Sequence, residues 1–141
     1  MFLLDTEHLA LLQRKTEPYY SNILQKMQSF EVTQFFTTII SFQEEVCGWQ
    51  SAISQARNTG QIIYAYQRLR GVLTDFSKLQ VLDFNLDASM QFDQLRQQRV
   101  RIGTLDLRIA AIALKHDCTV LTRNLRDFRK VPGLKVENWS L

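Results

Sequence analysis

Ile102-Gly103-Thr104-Leu105-Asp106-Leu107-Arg108-Ile109-Ala110-Ala111-Ile112-Ala113-Leu114 leads, through Lys115-His116-Asp117, straight into Cys118-Thr119-Val120-Leu121-Thr122. Residues 109–114 are apolar without a break, so the helix predicted from Gly103-Thr104 to about His116 is covered by protein on every side. The short apolar run after it, Cys118 to Leu121, predicts a strand buried on both faces. A buried helix feeding a doubly buried strand is the building unit of a parallel α/β sheet.

The rest of the chain repeats this alternation. Phe2-Leu3-Leu4 predicts a first strand, with Asp5 or Thr6 capping a helix that carries Leu9, Leu11 and Leu12. Pro18 suits the first turn of a second helix, with Tyr19, Ile23, Leu24 and Met27 at helical spacing. Phe35 to Ile40, rich in β-branched and aromatic residues, predicts a central strand. Ser41-Phe42-Gln43-Glu44 then has the form of a capping box opening a helix to about Ala56. Gly60 precedes a long helix predicted to turn Ile63, Tyr66, Leu69, Leu73 and Phe76 to one face. Val81 to Phe84 predicts a third strand, and Asp87 to Gln98 a helix with Phe92 and Leu95 inward. A fifth strand, Leu134 to Val136, follows the Pro132-Gly133 turn. No internal repeat or linker interrupts residues 1–141, which read as one domain.

Composition narrows the function classes. The 141 residues are 45% hydrophobic and 22% charged, a globular balance rather than a disordered one. No apolar run approaches the roughly 18–20 residues that span a bilayer. Met1-Phe2-Leu3-Leu4 meets Asp5 too early for a secretory signal, so a cytoplasmic location without membrane attachment is expected. Cys47 and Cys118 lack metal-ligand spacing and are expected to be buried, reduced thiols. The net charge of +3 is unevenly spread: residues 1–95 carry seven Lys/Arg against ten acids, and residues 96–141 carry ten against four. A basic C-terminal third beside buried acids suits a polyanionic ligand, although a solvated surface would carry the same charges.

Four carboxylates stand at the ends of apolar runs: Asp5, Glu44, Asp106 and Asp127. Singly, each has a local explanation. Asp5 suits a helix N-cap, Glu44 the capping box, Asp106 the positive end of a helix dipole, and Asp127 a loop after the turn-forming Asn124. Jointly they carry more. Ligands of open parallel sheets bind beyond the carboxyl ends of the strands, where Asp5 and Thr122 fall. Asp106 shares a stripe with Ile109, Ala110 and Ala113, and no Lys or Arg of that helix turns inward to pair with it. Carboxylates gathered in this way call for a hard divalent cation, Mg²⁺ or Mn²⁺, and such sites hydrolyse phosphodiesters. His8 and His116 fit no such role and are expected at the surface or at helix ends.

The residues also resemble a known family. Leu3-Leu4-Asp5-Thr6, Ser41-Phe42-Gln43-Glu44-Glu45-Val46-Cys47-Gly48, Ile102 to Ala110, Leu121-Thr122-Arg123-Asn124-Leu125-Arg126-Asp127-Phe128 and Val131-Pro132-Gly133-Leu134 occur in the order and spacing of PIN-domain proteins. The closest likeness is to the VapC-type toxic ribonucleases of bacterial toxin–antitoxin pairs. This resemblance implies a five-stranded, mainly parallel sheet in the order 3-2-1-4-5 with helices on both faces. It further implies an Mg²⁺- or Mn²⁺-dependent endoribonuclease whose metal-binding acids are Asp5, Glu44, Asp106 and Asp127. Glu44 matches the family's acid by standing four residues before Gly48, with Glu45 as its competitor; Cys47 and Trp49 depart from the usual small residues there.

On that reading Asp5 and Asp106 hold the principal ion, with Glu44 and Asp127 acting through water. Thr122 supports the site and Asn124 holds a turn. Arg101, Arg108, Arg123, Arg126 and Arg129 are candidates for RNA phosphate contacts. The implied partners are an RNA substrate, an antitoxin segment lying across the site, and a second copy of the chain. Tyr19, Tyr20, Trp49, Tyr64 and Tyr66 offer surface for these partners. Two alternatives stay open: a PIN-like RNA- or protein-binding module without cleavage activity, and a related DNA-directed nuclease.

Overall fold

A computed structural model describes residues 1–141. Five strands form one sheet: β1 (Phe2–Leu4), β2 (Phe35–Thr38), β3 (Val81–Leu82), β4 (Thr119–Leu121) and β5 (Lys135–Glu137). Their order is β3-β2-β1-β4-β5 and every pairing is parallel, as the resemblance implied. The strands alternate with α1 (Thr6–Gln13), α2 (Tyr19–Met27), α3 (Ile39–Gln55), α4 (Thr59–Ser77), α5 (Leu86–Gln97), α6 (Thr104–Lys115) and α7 (Leu125–Phe128).

Neighbouring side chains of a strand point to opposite faces, and the core divides accordingly. Leu3 and Val120 pack with Leu95 of α5 and Leu107 and Ile109–Ala113 of α6. Leu4 and Leu121 pack on the other face with Leu9 and Leu11 of α1, Ile23 of α2, Val72 and Phe76 of α4, and Trp139. Ile109 through Ala113 are wholly buried, which is why that helix carries no polar face in its middle turns. No helix is long and apolar enough to cross a membrane.

Several expectations are corrected. β2 ends at Thr38, and Ile39 and Ile40 already belong to α3. The N-cap is Thr38, whose hydroxyl oxygen accepts the Ser41 N–H at 3.1 Å, so Ser41–Glu44 is not a capping box. Glu44 thereby stands a full turn inside α3 with its carboxylate free for another partner. On α4 the buried residues are Ala65, Val72 and Phe76, while Ile63, Tyr66 and Leu73 are 52%, 55% and 55% exposed. That helix packs along α3, with Phe76 edge-on to Phe42 and Tyr64 edge-on to Trp49, and leaves Ile63, Tyr66 and Leu73 outside. Cys47 is exposed rather than buried, and Cys118 is buried; both are free thiols. His8 stands in the first turn of α1, the helix-end alternative expected of it, but it is wholly buried rather than at the surface. The structure adds a 3₁₀ turn at Val32–Gln34 and the four-residue α7, neither of which has a periodic signal long enough to predict it.

Candidate active site

The carboxyl edge of the sheet is built by three chain segments that end or begin there. β1 runs out at Leu4, and the Asp5 N–H still donates to Leu121 O of β4 at 3.1 Å. Asp5 then turns the chain into α1: its Oδ1 accepts the His8 N–H at 2.8 Å as an N-cap. β4 runs out beside it, with Thr122 N–H on Glu137 O of β5 at 2.9 Å. Thr122 is wholly buried. Its hydroxyl oxygen accepts the Asn124 N–H at 2.9 Å, and the same hydroxyl lies near enough to Asp5 to favour the charged carboxylate.

Asn124 does more than hold a turn. As N-cap of α7 its Oδ1 accepts the Asp127 N–H at 3.4 Å, while its Nδ2 donates to Asp127 Oδ2 at 3.0 Å and to Asp106 Oδ2 at 3.4 Å. One amide therefore spaces two carboxylates. Asp106 sits in the first turn of α6, where the dipole favours it. Across the pocket the Thr6 hydroxyl donates to Glu44 Oε1 at 2.7 Å and lies 2.9 Å from Ser41 Oγ. The sequence reading gave Thr6 and Ser41 only capping roles, although both sit in the segments that carry the family likeness.

Electrostatics shows which acids face one another. Asp5 is 6% exposed, and burial chiefly, then the charges of Glu7 and Asp106, push its carboxyl up to about 6. Asp106 is raised by burial and next by Glu44 and Asp127. Asp127 is lowered, first by its hydrogen bond from Asn124 and then by Lys130, whose Nζ lies 3.5 Å away. Glu45 turns elsewhere: it accepts from Gln13 Nε2 at 3.5 Å, burial raises its carboxyl, and Asp75, Arg14 and Arg68 are the charges around it. Of the two adjacent glutamates, Glu44 is the one that acts on Asp106.

Asp5, Glu44 and Asp106 have no Lys or Arg in ion-pair contact. Burial and mutual repulsion at such a site are relieved by a cation. No three His, Cys, Asp or Glu side chains close on a common point, so the acids line a shared region rather than a ready cage. A cation held here would meet only oxygen donors, which suit a hard divalent ion bound through one or two carboxylates and its own waters.

The arginines separate into groups. Arg101 and Arg108 line a cleft of about 840 Å³ that also contains Asp127, together with Arg96 and Arg99. Arg108 is seated over the rings of Phe84 and Phe92, 6.0 and 5.7 Å from their centroids. Sequence reasoning missed Arg96 and Arg99; the signal was the spacing Arg96-Gln97-Gln98-Arg99-Val100-Arg101, which runs from the last turn of α5 past its end. Arg123 is held away from the acids, 4.5 Å over Tyr19 and 3.2 Å from Glu7. Arg126 is exposed on α7. Arg129 lines a different hollow with Lys26, Phe30 and Trp139, and so is not brought to the acid site.

Comparison with known proteins agrees with this architecture. The PIN domain family model matches residues 2–134. The tRNA(fMet)-specific endonuclease VapC of Salmonella typhimurium is 26% identical over 142 residues, covering 98% of this chain and 97% of that protein. Ribonuclease VapC2 of Rickettsia felis is 34% identical over 68 residues, 45% of this chain and 51% of that one. Among solved structures, DNA-bound VapBC from Salmonella typhimurium superposes with a TM-score of 0.75 at 24% identity, covering 98% and 97% of the two chains. VapBC2 from Rickettsia felis, bound to a promoter DNA fragment, gives 0.72 at 24% identity over 98% of each chain.

Proposed function

The chain belongs to the PIN domain family, and from that premise we propose that it is a divalent-metal-dependent endoribonuclease, the toxin of a toxin–antitoxin pair. The observation that carries this reading is that Asp106 faces Asp5 on one side and Glu44 on the other, with no Lys or Arg paired to any of the three. The endonuclease and ribonuclease names of its relatives supply the reaction class.

In this reading Asp5 and Asp106 would hold the ion, with Glu44 and Asp127 holding its water ligands. Such an ion, when bound, supplies an acidified water and positive charge against the phosphate in its transition state. The protein's part is positional. Asn124 keeps Asp106 and Asp127 at a fixed separation, Thr122 orients Asp5, and Thr6 orients Glu44. Cleavage of an RNA oligonucleotide in Mg²⁺ or Mn²⁺, beside a DNA oligonucleotide of the same sequence, tests the reading. DNA cut as fast as RNA would make the chain a nuclease of the alternative kind, and an intact RNA would leave only a binding module.

The cleft of Arg96, Arg99, Arg101 and Arg108 ends at Asp127 and suits the phosphates flanking the scissile bond. Replacing Arg99 and Arg101 together by Ala is expected to raise KM about tenfold with little change in kcat, since phosphate contacts bind ground and transition states alike. The salt dependence of KM should flatten by about 0.7 in log–log slope for each phosphate that is no longer neutralised. An unchanged slope would show that RNA runs elsewhere.

An antitoxin partner is supported by the VapBC complexes among the structural neighbours. An apolar hollow of about 440 Å³, lined in part by Leu9, Leu12, Met27, Phe36 and Leu79, offers such a segment a seat next to α1. The exposed Ile63, Tyr66 and Leu73 of α4 suit a second copy of the chain. Ile63→Asp is expected to turn a dimer into a monomer by light scattering; a wild-type chain already monomeric at tens of micromolar would refute this.

A further inference from the structure

His8 is wholly buried in the first turn of α1, and its ring reaches two places at once. Nε2 accepts the backbone N–H of Trp139 at 3.3 Å. A neutral imidazole has one donor and one acceptor nitrogen, so the proton resides on Nδ1. That nitrogen is buried without a partner at hydrogen-bond distance, and it faces Asp5 Oδ1 at 3.7 Å. The same oxygen takes the His8 backbone N–H at 2.8 Å. Main chain and ring of one residue thus bear on one carboxylate oxygen.

The far end of this arrangement is firmly held. The Trp139 ring packs 4.7 Å from Phe2 and stacks 5.7 Å from Phe30, and its indole N–H donates to Glu137 Oε2 at 2.6 Å. Ser140 O accepts from Asn22 Nδ2 of α2 at 2.9 Å. The backbone N–H that sets the histidine's tautomer is therefore fixed by several separate parts of the fold.

We infer that His8 is a positioning residue of the acid site: tied through Nε2 to Trp139, it presents an Nδ1–H to Asp5 and fixes the orientation of that carboxylate. This rests on Asp5 being a site acid. At 3.7 Å the Nδ1–H stands a few tenths of an ångström beyond a hydrogen bond to Asp5 Oδ1, a gap that a small turn of either side chain closes; groups that hydrogen-bond a ligating carboxylate orient it, and their loss typically costs metal affinity about 10- to 100-fold.

Two replacements separate positioning from mere packing. His8→Asn keeps a donor where Nδ1 stood and loses the acceptor for Trp139. His8→Gln keeps an acceptor near the Nε2 position and loses the donor toward Asp5. Mn²⁺ binding measured by calorimetry is expected to weaken about tenfold or more in His8→Gln and to stay within about threefold of wild type in His8→Asn. A ring that only fills space gives no loss specific to His8→Gln, and His8→Gln binding Mn²⁺ as tightly as His8→Asn or tighter would overturn the inference. ¹⁵N NMR of the ring decides it without metal: the expected signature is a protonated Nδ1 whose proton resonance moves in Asp5→Asn. A ring protonated on Nε2, or a proton indifferent to Asp5→Asn, sinks the idea. Wild-type protein that neither binds Mn²⁺ nor cleaves RNA refutes the proposed function instead, and the NMR result still decides the role of His8.

Discussion

Asp106→Asn is expected to slow RNA cleavage by on the order of a thousandfold or more while the protein stays folded, because acids that act as a unit around one ion fail together. The substitution removes charge and little else. Asparagine's oxygen can still accept from Asn124 Nδ2, now 3.4 Å from Asp106 Oδ2, and the repulsion from Glu44 and Asp127 disappears. Asp5→Asn should give a similar loss, since asparagine also caps a helix. The double variant should be little worse than either single one. Glu45→Gln is the internal control: its carboxylate lies with Gln13, Asp75 and Arg68, so cleavage should stay within about twofold of wild type, as for a charge away from the reacting groups. Initial rates on a labelled RNA, with circular dichroism to confirm folding, measure all of these. Near-normal cleavage by Asp106→Asn would dismantle the site assignment.

The second large effect concerns stability and pH in metal-free buffer. Asp5 is held at about 6 instead of 3.8, chiefly by burial. Between about pH 4 and pH 6 the folded chain keeps a proton that the unfolded chain has released, so stability falls as pH rises, by about 3 kcal/mol in all. His8 moves the other way, from 6.5 to about 4, through burial and then the charges of Arg123 and Lys26. Over nearly the same window the unfolded chain takes up the proton first, so stability falls as pH drops, again by about 3 kcal/mol. In the wild type these two slopes oppose each other and largely cancel. Removing one partner exposes the other. His8→Leu should lose stability as pH rises from about 4 to 6, and Asp5→Asn should lose it as pH falls from about 6.5 to 4. Urea denaturation across that range measures both; parallel profiles in the two variants would contradict the opposed shifts.

These effects are unevenly visible in the sequence. The buried helix and strand of residues 104–121 are plain, because continuous apolar character has few structural solutions. The strand order comes from family likeness, since a pattern of apolar runs says nothing about which run lies beside which. The α3 start is ambiguous because Thr38 and Ser41 are both competent caps one turn apart, and the loss of β2 pairing after Thr38 decides between them. On α4, apolar residues at 62, 63, 66, 69, 72, 73 and 76 occupy more than one face, and only the partner helix selects Ala65, Val72 and Phe76 for burial. The four candidate acids stand out in the sequence from their place at the ends of apolar runs. His8 is not, because its burial depends on a backbone group of Trp139, 131 residues away along the chain. Asn124 is recognisable as a turn former, which it is, but nothing local reveals that its amide also reaches Asp106.

The sheet order β3-β2-β1-β4-β5 puts the earliest of the five strands in chain order at the centre and the fifth at an edge. A growing chain can pair β1 with β2 early, yet Asp5 waits for Asp106, Thr122 and Asp127 to emerge before any site surrounds it. The acid site is therefore completed late in synthesis, on the order of a hundred residues after Asp5 has emerged.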